Sequence, residues 1–181
     1  MNVTLNWSIG SGATSQSAQY KLSTSSTWTT FSTLAGSATT ETITGLSDNL
    51  LYDLRIVSSC SGGTPVNSAV VQKINIICPT VFTTPTSSSI AYSFSEIGGS
   101  VSSYVVKLFN SSGSTELASQ TPSGTTTLTG TFSALSSSTS YNIRVVPTAG
   151  AITKTDCAFA AVSTSIPPSC NAPSGVTATV S

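Results

Sequence analysis

The chain has 181 residues, of which only 7% are charged, six basic against six acidic, with no histidine and a formal net charge of zero. That balance excludes an electrostatic footprint for nucleic acid or for an anionic membrane surface. Apolar residues reach 38% but fall in short, regularly spaced bursts, none near the roughly 20 consecutive residues of a membrane-spanning helix, so the expectation is a folded chain without membrane insertion.

More than a third of the residues are Ser or Thr, and Thr, Val, Ile, Tyr and Phe suit the pleated, half-buried surface of a strand, whereas strong helix formers are scarce. Period-two alternation then marks strands in chain order. Val3, Leu5 and Trp7 form one; Tyr20 with Leu22, Trp28 with Phe31, Thr42 with Ile43, and Leu54 with Ile56 supply the next four; Val70 to Ile77 closes this half. The second half repeats the order as Val81 to Thr83, Ile90-Tyr92-Phe94, Tyr104 to Phe109, Leu117, Leu128 to Phe132, Tyr141 to Val146 and Phe159 to Val162. Gly, Ser, Asn and Pro separate them.

An internal repeat explains the parallel. Leu46, Tyr52, Arg55 and Val57 are matched 89 residues later by Leu135, Tyr141, Arg144 and Val146. A fixed period of this length points to two copies of one structural unit. Six to seven short strands per unit indicate a β-sandwich, so the expected fold class is all-β with two tandem sandwiches.

An aromatic on the second strand, a Tyr on the third and a Leu six residues ahead of the Tyr that opens strand F resemble the fibronectin type III domain, over essentially the whole chain. The resemblance implies a tyrosine corner in each unit, Leu46 with Tyr52 and Leu135 with Tyr141, the phenol tethering the loop ahead of its own strand. The second unit departs from the pattern in carrying Tyr92 and Phe94 where Trp is usual, and neither unit has an Arg-Gly-Asp triplet.

Under the same resemblance, Cys78-Pro79-Thr80-Val81 opens a strand A that precedes strand B of the second unit, whereas Val3 to Ser8 already reads as strand B of the first. The expected organisation is a first module, 1–77, lacking its own strand A; a second, 78–168; and an extra strand A over 169–181, in which Val176, Ala178 and Val180 alternate. That last segment reads as the start of a third module or as a donor strand for the vacant position of a neighbouring copy, giving head-to-tail assembly. The implied topology brings Cys78 to Cys157 within the chain and Cys60 to Cys170 between chains. Four free thiols are the alternative.

The residues that carry chemistry are sparse. No catalytic, cofactor-binding or metal site is expected: the six acids, Glu41, Asp48, Asp53, Glu96, Glu116 and Asp156, are dispersed, and the four cysteines lack the close pairing of zinc ligands. Asn2, Asn6 and Asn110 head sequons, which chance readily produces among so many Ser and Thr. Trp7 and Trp28 are assigned to the core in preference to a sugar platform. The expectation is a non-enzymatic extracellular structural or adhesive module of a cell-surface or virion fibre, its partners itself or neighbouring repeats. A surface protein or glycan ligand, or service as a spacer in a secreted hydrolase, is the alternative.

Overall fold

In the computed structural model, which describes residues 1–155, 157 and 160–168, every regular element is a β-strand. The first half contributes β1 (Val3–Asn6), β2 (Ala13–Leu22), β3 (Thr29–Ala35), β4 (Thr40–Ile43), β5 (Tyr52–Cys60), β6 (Val66–Asn67) and β7 (Val71–Lys73). They form two sheets, β1 with β4, and β3-β2-β5-β6 with β7 also on β5. Alternation does what the sequence pattern requires: Val3 and Leu5 of β1 turn inward with Ile43, Leu46, Leu54 and Ile56, while Thr4 and Asn6 face out. Burying such side chains from two facing sheets is what holds a sandwich together, at roughly 1.5–3 kcal/mol each.

The second half contributes β8 (Phe82–Pro85), β9 (Ile90–Ser95), β10 (Ser103–Asn110), β11 (Glu116–Gln120), β12 (Thr127–Phe132), β13 (Ser140–Ala149), β14 (Ile152–Thr153) and β15 (Ala160–Ser163). One sheet has the order β12-β9-β8; the other is β11-β10-β13-β14, with β15 also on β13. Ile90, Tyr92, Phe94, Val106, Leu108, Ile143 and Val145 meet between them. Gly130 lies opposite Tyr92 in the register, and a Cβ there would fall 2.2 Å from the Tyr92 hydroxyl oxygen, so the missing side chain makes room for the phenol.

Both tyrosine corners are formed. The Tyr52 hydroxyl accepts the backbone N–H of Ser47 at 3.2 Å, and that of Tyr141 accepts the N–H of Ser136 at 3.1 Å. Leu46 is buried and Leu135 packs on the second core.

Two expectations need correction. The stretch Val70 to Ile77 is not one closing strand: pairing with β5 stops at Lys73, and beyond it Ile74 and Ile76 pack into the second core, Ile76 only 3% exposed. An alternating run shows which residues share a face, not which of two cores that face meets. Trp28 lies in the loop before β3, half-buried under the Arg55 guanidinium, whose central carbon is 4.0 Å from the ring centroid, with the Lys21 ammonium at 5.4 Å. Trp7, by contrast, does pack against the first core. The expected last strand began at Phe159, which lies outside the described residues, as does Asp156.

Candidate functional site

The two sandwiches differ at the edge of one sheet. In the second, β9 is paired on both sides, with β12 and with β8, and the Ser165 N–H bonds the Thr86 carbonyl at 2.9 Å, tying the chain beyond β15 to the end of β8. In the first, β1 pairs only with β4, and its outer edge has no strand partner among the described residues. A groove of about 350 Å³ runs between Trp7, Ala13, Ile56, Cys60 and Ser68. A second, of about 230 Å³, shares Trp7, Ile56 and Ser68 with it and extends past Leu5 to Val71. Val66, at the rim, is 63% exposed. An unpaired strand beside an apolar groove is the geometry that accepts an added strand: backbone N–H and C=O groups supply affinity, and alternate side chains supply register.

Cysteine placement follows the same division. Cys78 and Cys157 form a disulfide with Cα atoms 5.3 Å apart, which anchors the chain just ahead of β8 to the chain just ahead of β15. Cys157 is buried. Cys60 is a free, half-buried thiol at the end of β5, lining the groove. Its placement is not that of Cys157. Val71 stands opposite Leu54 as Ala160 stands opposite Ile143, and three residues earlier in each case come Ser68 and Cys157. Ser68 therefore holds the place of the second sandwich's cysteine, while Cys60 is the counterpart of Ala149. The 89-residue period says the same, since Cys157 lies 97 residues after Cys60 (157 − 60) and not one period. Cys170, Val176, Ala178 and Val180 lie outside the described residues.

Few groups could do chemistry. Among the described residues no three His, Cys, Asp or Glu side chains cluster as metal ligands would. Asp53 is engaged by Lys21, whose ammonium lies 2.7 Å from one carboxylate oxygen, and by the Gln72 amide at 2.9 Å from the other. The Lys21 hydrogen bond foremost holds its carboxyl below the usual range. Of the sequon residues, Asn2 and Asn6 are exposed, whereas the Asn110 side-chain oxygen Oδ1 accepts hydrogen bonds from the Ser112 hydroxyl and the Ser114 and Thr115 N–H groups inside its own turn.

The element order and pairing of each half, repeated along the chain, match a two-domain fibronectin type III segment of chicken tenascin over 90% of this chain and 92% of that one, with a TM-score of 0.57 at 15% sequence identity. The fold is that of two fibronectin type III domains in tandem. A three-domain segment, FN1-FN3, of chicken CNTN1 aligns over 91% of this chain and 63% of that one, at 15% identity and a TM-score of 0.42. No protein-family model matches the chain, and no curated protein sequence does. In fibronectin type III terms, β1 holds the place of strand B, with no strand A beside it among the described residues, and β8 holds that of strand A in the second domain.

Proposed function

We propose that this chain is a structural module of an extracellular fibre, on a cell or virion surface, whose copies join head to tail by strand addition. The observation that carries the reading is the contrast at the two B strands: β9 is covered by β8, and β1 is bare beside an apolar groove. Residues 169–181 are the donor we assign to it, since Cys170 precedes Val176, Ala178 and Val180 much as Cys78 precedes β8. Alternating small apolar residues suit a shallow groove, and the strand's backbone groups would satisfy the free edge of β1. The Cys78–Cys157 disulfide fits an oxidising exterior, and a Ser/Thr-rich surface of zero net charge fits a spacer without a charged ligand.

Electron microscopy of the full chain beside a copy lacking 169–181 tests this reading. Filaments from the first and monomers from the second are expected. Monomers from both would overturn it.

A further inference from the structure

The contact between the two sandwiches is built from parts that recur, unengaged, at the far ends of the molecule. Inside the chain, Asn49 is the keystone. Its backbone is left-handed, with φ of 60°. Its carbonyl accepts the Ser100 N–H of the second sandwich at 2.7 Å, its own N–H donates to the Asn75 carbonyl at 2.8 Å, and its side-chain oxygen accepts the Ile77 N–H at 2.7 Å. Gly99 must be glycine here, because a Cβ would fall 2.3 Å from the Asn49 carbonyl oxygen. Ile76 completes the joint by entering the second core, in one cluster with Phe94, Val101, Val145 and Ala149.

Each half of this joint has a counterpart. The loop after β12 carries Ser138, 89 residues beyond Asn49, and Ser138 is also left-handed, with φ of 51°, and exposed. Its N–H donates to the Ser165 carbonyl, a turn closed as Asn49 closes its turn on Asn75. The loop after β1 reads Ser8-Ile9-Gly10-Ser11-Gly12 where the loop after β9 reads Glu96-Ile97-Gly98-Gly99-Ser100. Ser15 stands opposite Ser59 as Ser103 stands opposite Thr148, and ahead of a bulge between Ala13 and Ser15 the loop from Ile9 to Gly12 precedes β2 as that from Ile97 to Ser100 precedes β10. Ile97 packs on the second core, but Ile9 is 49% exposed and nothing lies within 4 Å of where a Cβ on Gly10 or Gly12 would be.

The cavity matches as well. By the strand registers, Phe94, Val145 and Ala149, which share the second core with Ile76, correspond to Trp7, Ile56 and Cys60, which line the open groove of about 350 Å³. The residue placed to fill it is Ile166. Ile166 directly follows Ser165, whose carbonyl takes the Ser138 N–H, as Ile76 directly follows Asn75, whose carbonyl takes the Asn49 N–H; counted from Val162 of β15 and Lys73 of β7, which sit opposite matched tyrosines, it comes one residue later. Ile166 is 78% exposed, the most exposed large apolar side chain described. A flexible surface loop has no need of such a residue, and a repeated joint does.

We propose that a second copy of this chain docks by repeating the internal joint: Ile166 of one copy enters the groove at Trp7 and Cys60 of the next, and the Ser138 carbonyl accepts a backbone N–H of the loop from Ile9 to Gly12. The inference rests on the head-to-tail reading above and differs from it in giving the larger groove to Ile166, which leaves the donor strand the edge of β1 and the smaller groove past Leu5 to Val71. Sedimentation velocity on the full chain tests it with Ile166→Asp, Ile166→Leu and the 169–181 deletion. An aspartate carried into an apolar groove should weaken association by about tenfold or more, with Leu near wild type. The melting temperature of the single copy should not move, because Ile166 is exposed in it, so loss of folding is not confused with loss of docking. If Ile166→Asp associates like wild type while the deletion does not, the joint is overturned and strand addition stands. If Ile166→Asp abolishes association and the deletion preserves it, the joint stands and the strand reading falls. A wild-type chain that stays monomeric overturns both.

Discussion

In the second sandwich β9 lies between β12 and β8, with a disulfide just ahead of β8; in the first, β1 has β4 on one side and a groove on the other. Both halves carry the same tyrosine corner, the same alternation on β1, β2, β4 and β5 as on β9, β10, β12 and β13, and a left-handed residue at the matched position before β5 and β13. The difference therefore lies in closure and not in plan. A sandwich can form its core from six strands, but an uncovered B strand leaves backbone groups and apolar side chains at one edge, and natural sheets keep such edges short or covered. β1 is only four residues long.

The sharpest way to break the contrast is to loosen the closed half. Replacing both Cys78 and Cys157 by Ser removes a cross-link spanning 79 residues, for which loop-closure entropy gives up to about 4.5 kcal/mol. The double variant should lower the unfolding temperature of the second sandwich by calorimetry and leave tryptophan fluorescence unfolding of the first largely in place, since both tryptophans, Trp7 and Trp28, belong to the first. An unchanged calorimetric profile would mean that β8 is held by strand pairing alone.

Alkali should also single out the second sandwich. Tyr92 is 3% exposed, packed on Phe94 and Phe132, and its hydroxyl has no hydrogen-bond partner. Burial pushes its pKa up to about 12, and burial likewise raises that of Tyr104. A group whose folded pKa is raised stabilises the fold fully below its unfolded value near 10, and that contribution fades as pH climbs through about 12. Two units correspond to roughly 3 kcal/mol. Urea titrations followed by backbone circular dichroism between pH 9 and 12 should show a late transition that weakens with pH, and Tyr92→Phe should flatten the dependence.

The sequence carried the strands with strong alternation, because an inward Val, Ile, Tyr or Phe every second residue is the physical condition for a half-buried strand. β9, β10 and β13 were legible for that reason, and so were the tyrosine corners, whose Leu and Tyr sit at fixed offsets. β3 and β11 were harder. Their residues are mostly exposed, Leu117 by half, so they form by pairing with β2 and β10 and not by burial of their own. The joint was hidden because its signals are backbone ones: a positive φ at Asn49, a carbonyl over Gly99, an isoleucine that crosses to the neighbouring core. The one visible trace was the repeated Ile-Gly of the two B–C loops, which gains meaning only once Ile76 is seen among Phe94, Val101 and Val145.

Acid should reach the first sandwich instead, by a smaller margin. Asp53 on β5 is paired with Lys21 on β2, and the registers place Asn142 and Phe109 at the same positions of the second sandwich, so this carboxylate has no counterpart there. The Lys21 hydrogen bond, joined by that of Gln72 and opposed by burial, depresses the Asp53 pKa below 3.8. A depressed carboxyl stabilises the folded state above its unfolded pKa, and that stability is lost as pH falls through the lower folded value. Tryptophan fluorescence of thermal unfolding should therefore drop in midpoint below about pH 4. Asp53→Asn should remove most of that slope while leaving the alkaline transition of the second sandwich unmoved. A midpoint equally acid-sensitive in wild type and Asp53→Asn would show that the pair does not distinguish the two halves.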